Sequence, residues 1–308
     1  MINKMTEIKK NILILDTDIG GDIDDHWALA MMLCQKNMQP DLIMTASGNT
    51  RYRAALTRHF LKQSGFEHIP VAAGIFRKDQ NIPENLWQIL PEGTVDPEEK
   101  TDAVEKAIQL IENAQSVTII AIGALTNIAA IVEQRPDLLY KCRLIAMSGS
   151  RAMGAMDKPG KIPEFNVFSD IEAAKKVYAA KWQDFLLTPL DHCGALVMQG
   201  QDYQKVLNSS NPVARELIHT YLVWLKTIGS DNLEPASSSI LFDTAAVRLA
   251  MPGGEDNCII EPLSIRIADD GSWIETDEPA TCRVASGWKN RSAHLADLAD
   301  ILSKGCCC

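Results

Sequence analysis

Five aspartates stand within ten residues near the start of the chain: Asp16, Asp18, Asp22, Asp24 and Asp25, in the run DTDIGGDIDD. Carboxylates this close repel one another, so the segment either keeps some of its protons or binds a cation. A hard divalent ion with oxygen ligands is the natural partner. Calcium takes about six to eight oxygens in flexible geometry, and magnesium takes fewer in strict geometry. The apolar run NILIL ends where the aspartates begin, so they follow a buried strand. The carboxyl edge of an open α/β sheet is where such folds bind ligands. Gly20 and Gly21 permit the tight turn that folds the segment back on itself. The competing reading is a solvated acidic turn capping a helix. A lone D-x-D would fit that reading, but five aspartates directly after an apolar strand favour the ion.

Four later segments carry polar residues at comparable positions: Ala46-Ser47-Gly48-Asn49, Gly123-Ala124-Leu125-Thr126-Asn127, Pro163-Glu164-Phe165-Asn166 and Phe242-Asp243-Thr244-Ala245-Ala246-Val247. Taken singly, Asn49 fits a turn and Thr126 or Asp243 an N-cap. Phe165, isolated between Glu164 and Asn166, predicts a packed loop there. The apolar flank Ile240-Leu241-Phe242 makes ligation the better reading of Asp243.

Taken in order, these segments resemble the nucleoside hydrolase family across nearly the whole chain. Asp16-Thr17-Asp18-Ile19-Gly20 and Asp24-Asp25 look like the two halves of its D-x-D-x-G-x-D-D opening, with two extra residues between them. The resemblance leaves the role of Asp22 open. The later segments look like the family's AGN, GPLTN, EFN and HDPxAV elements, with Ala124 in the place of Pro and Phe242 in the place of His. The end, Arg283 to Lys289, also looks family-like. Phosphatases of the haloacid dehalogenase type share the D-x-D after an apolar strand. They follow it with x-[TV], where this chain has Ile19-Gly20, and they lack the later D-x-D-D.

The resemblance implies a calcium-dependent enzyme that hydrolyses the N-glycosidic bond of a ribonucleoside to base and ribose, with inversion at the sugar. It implies Asp18, Asp25, the Thr126 carbonyl and Asp243 as calcium ligands, and Asp18 as general base. It places Asp24, Asn49, Glu164 and Asn166 on the ribose. The same scaffold also admits another N-ribosyl substrate, or a ribose-binding protein without catalysis. The leaving-group side stays open, because Phe242 cannot donate a proton. Trp87 is a candidate for stacking on the base, as are Trp224 and Tyr221. His26 and His192 are the candidate acids. Family likeness suggests a homodimer or homotetramer.

Positioning these residues requires a sheet. Strands are expected at Asn11–Asp16, Asp41–Ala46, Ile69–Ala73, Val117–Ile122, Leu144–Ser148 and Phe185–Leu190. Helices are expected between them, at Asp25–Cys34, Arg51–Gln63, Thr101–Asn113, Thr126–Glu133 and Ile171–Ala180. This alternation predicts an α/β fold with a mainly parallel sheet and helices on both faces, in a single domain over residues 1–308. Beyond residue 195 the pattern is helical at Pro212–Ile228 and Ser239–Ala250. A small hairpin follows over Ile259–Val284, turning at Asp269-Asp270-Gly271, and a closing helix at Ser292–Leu302. Gly74–Lys100 and Ser150–Pro163 read as long loops, common as active-site covers.

The 308 residues carry a formal charge of −10, with 46% hydrophobic and 23% charged side chains. An acidic surface repels phosphate backbones and anionic lipid, so neither nucleic acid nor membrane is an expected partner. No apolar run reaches the roughly eighteen residues of a membrane span. The apolar stretch Ile12–Leu15 is too short for a signal peptide, so a cytoplasmic location is expected. Of the eight cysteines, Cys34, Cys142, Cys193, Cys258 and Cys282 are isolated, and no C-x-x-C pair suggests zinc. They are expected to be reduced and mostly buried. The run Cys306-Cys307-Cys308 fits no four-residue prenylation box and carries no assignment.

Overall fold

The computed structural model describes residues 9–80, 82–231 and 234–305; the Cys306–Cys308 run lies outside the described residues. Eleven strands are present among them: β1 (Lys9–Thr17), β2 (Leu42–Thr45), β3 (Val71–Ala73), β4 (Ala114–Ala121), β5 (Cys142–Met147), β6 (Asp184–Thr188), β7 (Val197–Gln199), β8 (Ser237–Ile240), β9 (Cys258–Ile267), β10 (Trp273–Thr276) and β11 (Cys282–Trp288). Nine of these form one sheet in the order β10-β9-β11-β6-β5-β4-β1-β2-β3. From β3 across to β11 every neighbouring pair is parallel. The pairs β9–β11 and β9–β10 are antiparallel.

The helices are α1 (Asp24–Leu33), α2 (Thr50–Ser64), α3 (Ala103–Glu112), α4 (Thr126–Gln134), α5 (Phe165–Ser169), α6 (Ile171–Ala179), α7 (Leu190–Cys193), α8 (Gly200–Leu207), α9 (Pro212–Thr227), α10 (Thr244–Ala250) and α11 (Arg291–Lys304). Successive strand side chains point to opposite faces, and each face has its own core. Leu15, Ile43, Ile120, Ile145 and Leu186 join the core made with α1, α2, α8, α9, α10 and α11. Ile14, Met44, Ile119, Leu144 and Leu187 join the core made with α3, α4 and α6. This double burial is why the central strands are apolar throughout. Each fully buried Ile or Leu contributes about 2 kcal/mol of transfer free energy, and Ile120→Ala would cost about 2–5 kcal/mol.

Two expectations need correction. The segment from Ser239 is not helical from its start: Ser237–Ile240 pairs antiparallel with β7, and α10 begins only at Thr244. Serine hydroxyls compete with helical bonds, and here the Ser238 hydroxyl accepts the Met198 N–H at 2.9 Å. Phe165 does not pack a loop shut; it opens α5 and is 52% exposed. The turn at Asp269-Asp270-Gly271 is present, closed by Gly271 N–H to Ala268 carbonyl at 3.0 Å. Its strands extend the main sheet, with β11 lying parallel to β6.

The register aligns the carboxyl ends of the central strands, with Asp16 opposite Met44 on β2 and Ala121 on β4. Side chains that follow these ends therefore emerge on one edge of the sheet. Among the described residues, the segment between β3 and α3 carries a short turn of 3₁₀ helix, and that between β5 and α5 carries another and a single bridge between Met153 and Pro159. No described helix is long and apolar enough to cross a membrane.

Candidate active site

At the end of β1 the aspartates part company. Asp16 is fully buried, and its Oδ1 accepts the Asn127 amide at 2.8 Å. Burial pushes its carboxyl up to about 8. Asp18, Asp22, Asp24 and Asp25 enter a cavity of about 500 Å³ above the sheet edge.

Asp24 and Asp25 occupy the first turn of α1, where the helix dipole favours negative charge. Asp25 accepts a hydrogen bond from the Thr17 hydroxyl. Asp243 reaches the same place from far along the chain. It is the N-cap of α10, but its side chain does not cap that helix. It turns instead to Asp24, with which it shares a hydrogen bond. Carboxylate oxygens of Asp24, Asp25 and Asp243 lie within 4.8 Å of one another, and all three residues are buried. Asp18 lines the same cavity just outside this triad. Burial, and then repulsion from neighbouring carboxyls including Asp18 and Asp22, holds the carboxyls of Asp24, Asp25 and Asp243 well above the usual range. Burial likewise raises Asp18, against the pull of Arg53 and the Ser47 hydroxyl.

Glu164 and Asn166 form the opposite wall. Glu164 caps α5, with Oε1 accepting the Asn166 N–H at 2.7 Å and Oε2 the Val167 N–H at 3.3 Å. The Gly149 N–H adds a third bond at 2.9 Å. Burial still pushes Glu164 up to about 7. Gly149 has φ +86°, and a Cβ there would lie 2.0 Å from the Trp273 ring, so only glycine fits. The Asn166 amide donates to the Met147 carbonyl at 3.1 Å, tying the wall to the end of β5.

Asn49, Trp87, Thr126, His26, His192 and Tyr221, all singled out in the sequence, do not line this cavity. Asn49 caps α2 by accepting the Tyr52 N–H at 3.2 Å. Trp87 is 44% exposed, stacks on Tyr52 at 4.6 Å and donates to Glu84 at 2.7 Å. Both face a neighbouring hollow with Arg51 and Phe76. Thr126 begins α4, and its hydroxyl donates to Asp170 at 2.7 Å rather than capping its own helix. Its segment nonetheless abuts the site, since a Cβ at Gly123 would come within 3.0 Å of Asp18. His26 is sealed in the core edge-on to Phe60, and His192 is stacked on Trp288; burial takes both down to about 3. Tyr221 is buried beside Trp27, while Trp224 does line the cavity.

Sequence reasoning missed Arg53, Ser47 and Phe168. Arg53 is fully buried and donates to the main-chain carbonyls of Asp18, Ile19, Ser47 and Pro83. A detectable signal was there: Arg53 falls on the buried stripe of α2 with Leu56 and Phe60. Ser47 holds a left-handed backbone, φ +66°, unusual for a residue with a Cβ. Phe168 is exposed at the cavity mouth, with no pattern to mark it.

The donor set of the triad suits a hard divalent ion: all oxygen, anionic, convergent and buried. The model of the family described as inosine-uridine preferring nucleoside hydrolase matches residues 13–295. The chain belongs to this family. A pyrimidine-specific ribonucleoside hydrolase, RihA, of Shewanella baltica is 28% identical over 233 residues, spanning 69% of this chain and 70% of that protein. RihA of Salmonella typhi is 28% identical over 216 residues, spanning 66% of this chain and 67% of its own. A plant nucleoside hydrolase, PpNRh1, has the same fold, with a TM-score of 0.76 over 96% of this chain and 99% of that one at 21% identity. An inosine-guanosine nucleoside hydrolase gives 0.75 over 95% and 98% at 19% identity. As a member of the nucleoside hydrolase family, the chain is an N-glycosyl hydrolase that cleaves the bond between ribose and base in a ribonucleoside. The family is metal-dependent, and the buried aspartate triad offers the ligands.

Proposed function

We propose that this nucleoside hydrolase works with calcium, held by Asp18, Asp25, Asp243 and the Thr126 carbonyl, and that Asp18 is its general base. The observation that carries this reading is the convergence of Asp243, from the start of α10, on Asp24 and Asp25 at the start of α1. The ion would supply positive charge to the ribose and to the reacting water, and would lower that water's pKa less than zinc does.

The protein's own groups supply the rest. Asp18 takes the proton of the attacking water as its oxygen approaches the anomeric carbon. The carbonyl of Asp18 is fixed by Arg53, so the direction of its side chain is set before substrate arrives. Asp24, Glu164 and Asn166 accept hydrogen bonds from the ribose hydroxyls and hold its pucker. They accelerate the reaction to the extent that those bonds tighten as the sugar becomes oxocarbenium-like. The surrounding carboxylates favour that developing positive charge. Direct attack by water inverts the anomeric centre. The base lies against the apolar wall of Ile82, Phe168, Trp224 and Phe242. A cytoplasmic location and assembly as a homodimer or homotetramer belong to the same reading.

The test is reducing-sugar release from a panel of purine and pyrimidine ribonucleosides, before and after chelation and on adding calcium back. Activity should need the ion and vanish in Asp18→Ala while calorimetry on the wild type gives a defined calcium stoichiometry. Release that survives chelation, or an unimpaired Asp18→Ala, would refute the mechanism.

A further inference from the structure

We propose that the preferred substrates of this site are cationic N-ribosides, whose base already carries a positively charged ring and departs neutral. The inference rests on the hydrolase reading above and narrows its substrate.

The first observation is what the cavity lacks. Among its described lining residues there is no His, Lys, Arg, Cys or Tyr. Its side-chain N–H groups belong to Asn85, Asn166 and Trp224, and amides and indoles do not hand over protons at neutral pH. These groups also face protein: Trp224 and Asn85 donate to the Gly21 carbonyl at 3.0 and 2.8 Å, and Asn166 to the Met147 carbonyl.

The second observation concerns the carboxyls. Asp24, Asp25 and Asp243 are gathered in the triad. Both oxygens of Glu164 accept main-chain N–H bonds. Asp18 must be ionised to take the water's proton. Asp22 is left at the exposed rim, where its Oδ1 accepts its neighbour's N–H at 2.7 Å. Apart from Asp22, whose carboxyl burial raises, no described lining group is left to protonate a departing base.

The third observation is charge. Six carboxyl side chains line the cavity, and a cationic ring entering it would favour their ionised forms. The aromatic faces of Phe168, Trp224 and Phe242 complete a surface that attracts cations.

A neutral purine or pyrimidine leaves as an anion unless it is protonated, and such proton transfer is worth about 10²–10⁴ in rate. A cationic base needs none. The water oxygen bonds the anomeric carbon, and the electron pair of the carbon–nitrogen bond moves to the ring and cancels its charge. One water proton passes to Asp18 and then to solvent. The products are ribose, a neutral base and one proton.

7-Methylguanosine and guanosine share a ring system and differ in this charge, so they are the probes. With the calcium-loaded protein, kcat/KM should favour 7-methylguanosine by about tenfold or more. The methylated ring is also intrinsically the better leaving group, so KM provides a second readout. It should be lower for the cation, and the gap should shrink in about 0.5 M salt. Asp22→Asn should raise KM for the cation more than for guanosine. The proposal fails if guanosine is turned over as fast as its methylated form. It also fails if Asp22→Asn depresses guanosine alone, because Asp22 would then be the missing acid. Turnover of neither compound also overturns this proposal, whereas sugar release from any nucleoside of the panel above leaves the hydrolase reading standing.

Discussion

The guanidinium of Arg53 is buried behind the aspartate loop and hydrogen-bonds the main-chain carbonyl of Asp18, not its carboxylate. It also grips the Ile19 carbonyl at 2.9 Å and the Ser47 carbonyl at 2.7 Å. A permanent cation thus stands beneath the carboxylates, while its donors hold in place the backbone that carries them. Lysine keeps the charge but cannot reproduce the planar fork. Arg53→Lys should lower kcat about 10²-fold through misdirection of Asp18. Arg53→Met should also cost about 3 kcal/mol or more of stability, since it leaves several buried carbonyls unpartnered. Steady-state kinetics and urea unfolding check both, and unchanged kcat in Arg53→Lys would reduce the residue to packing.

Asp243 sets function against stability. Its carboxyl sits against Asp24 and Asp25, and both raise its pKa after burial does. Asp243→Asn removes one of the repelling charges. The chelated variant should therefore melt higher than chelated wild type, while its calcium affinity falls by at least about tenfold, or about 1.4 kcal/mol. Paired thermal melts and calcium titrations give the two numbers. A variant that binds calcium as well as wild type would place the ion elsewhere.

Much of this was legible in the residues, for physical reasons. Apolar runs such as Val117–Ile122 must be strands buried on both faces, and their carboxyl ends must share one edge. That edge accounts for the meeting of Asp18, Asp24 and Asp25 with Glu164 and Asn166. The site's remaining features depend on long-range packing. Nothing in the local pattern reveals that Trp87 is held on Tyr52 and Glu84, away from the carboxylates. Nor does Ser237–Ile240 announce itself as a strand until β7 is there to pair with it. Arg53 was visible only as a charge on an apolar stripe, which burial alone turns into a positioning device.

Stability should depend on pH in a way that reveals the ion. Asp16 and Glu164 are pushed up to about 8 and about 7, whereas in the unfolded chain they ionise near 4. The folded state holds more protons across that window, so these groups make stability fall as pH rises through it. His26, His192 and His294 are taken down to about 3 and oppose this below roughly pH 6.5, where the unfolded chain binds their protons. Above that pH only the carboxyls act. Chelated protein should lose a few degrees of Tm between about pH 6.5 and 8, and saturating calcium should lessen the loss, because Asp25 and Asp243, whose carboxyls are also raised, would give up their protons to the ion. A Tm that rises over this interval without calcium would contradict the assignment.

Phe242 precedes Asp243 and lines the cavity where a proton donor is missing. Phe242→His would supply one beside the base. Turnover of guanosine should rise by about tenfold, toward the lower end of what general acid catalysis yields, while 7-methylguanosine, which leaves without a proton, should gain little. A loss for both would mean that Phe242 acts by packing alone.

Trp224 and Trp87 separate a base-binding role from a structural one. Trp224 lines the carboxylate cavity and is pinned by its bond to the Gly21 carbonyl at 3.0 Å. Trp87 lies in the adjoining hollow. An aromatic face against a purine is worth about 0.5–1.5 kcal/mol beyond buried area. Trp224→Leu should therefore raise KM roughly tenfold, and Trp87→Leu should change it less than about twofold. A larger effect at Trp87 would mean that the segment between β3 and α3 swings inward when substrate binds, bringing its aromatic ring over the base.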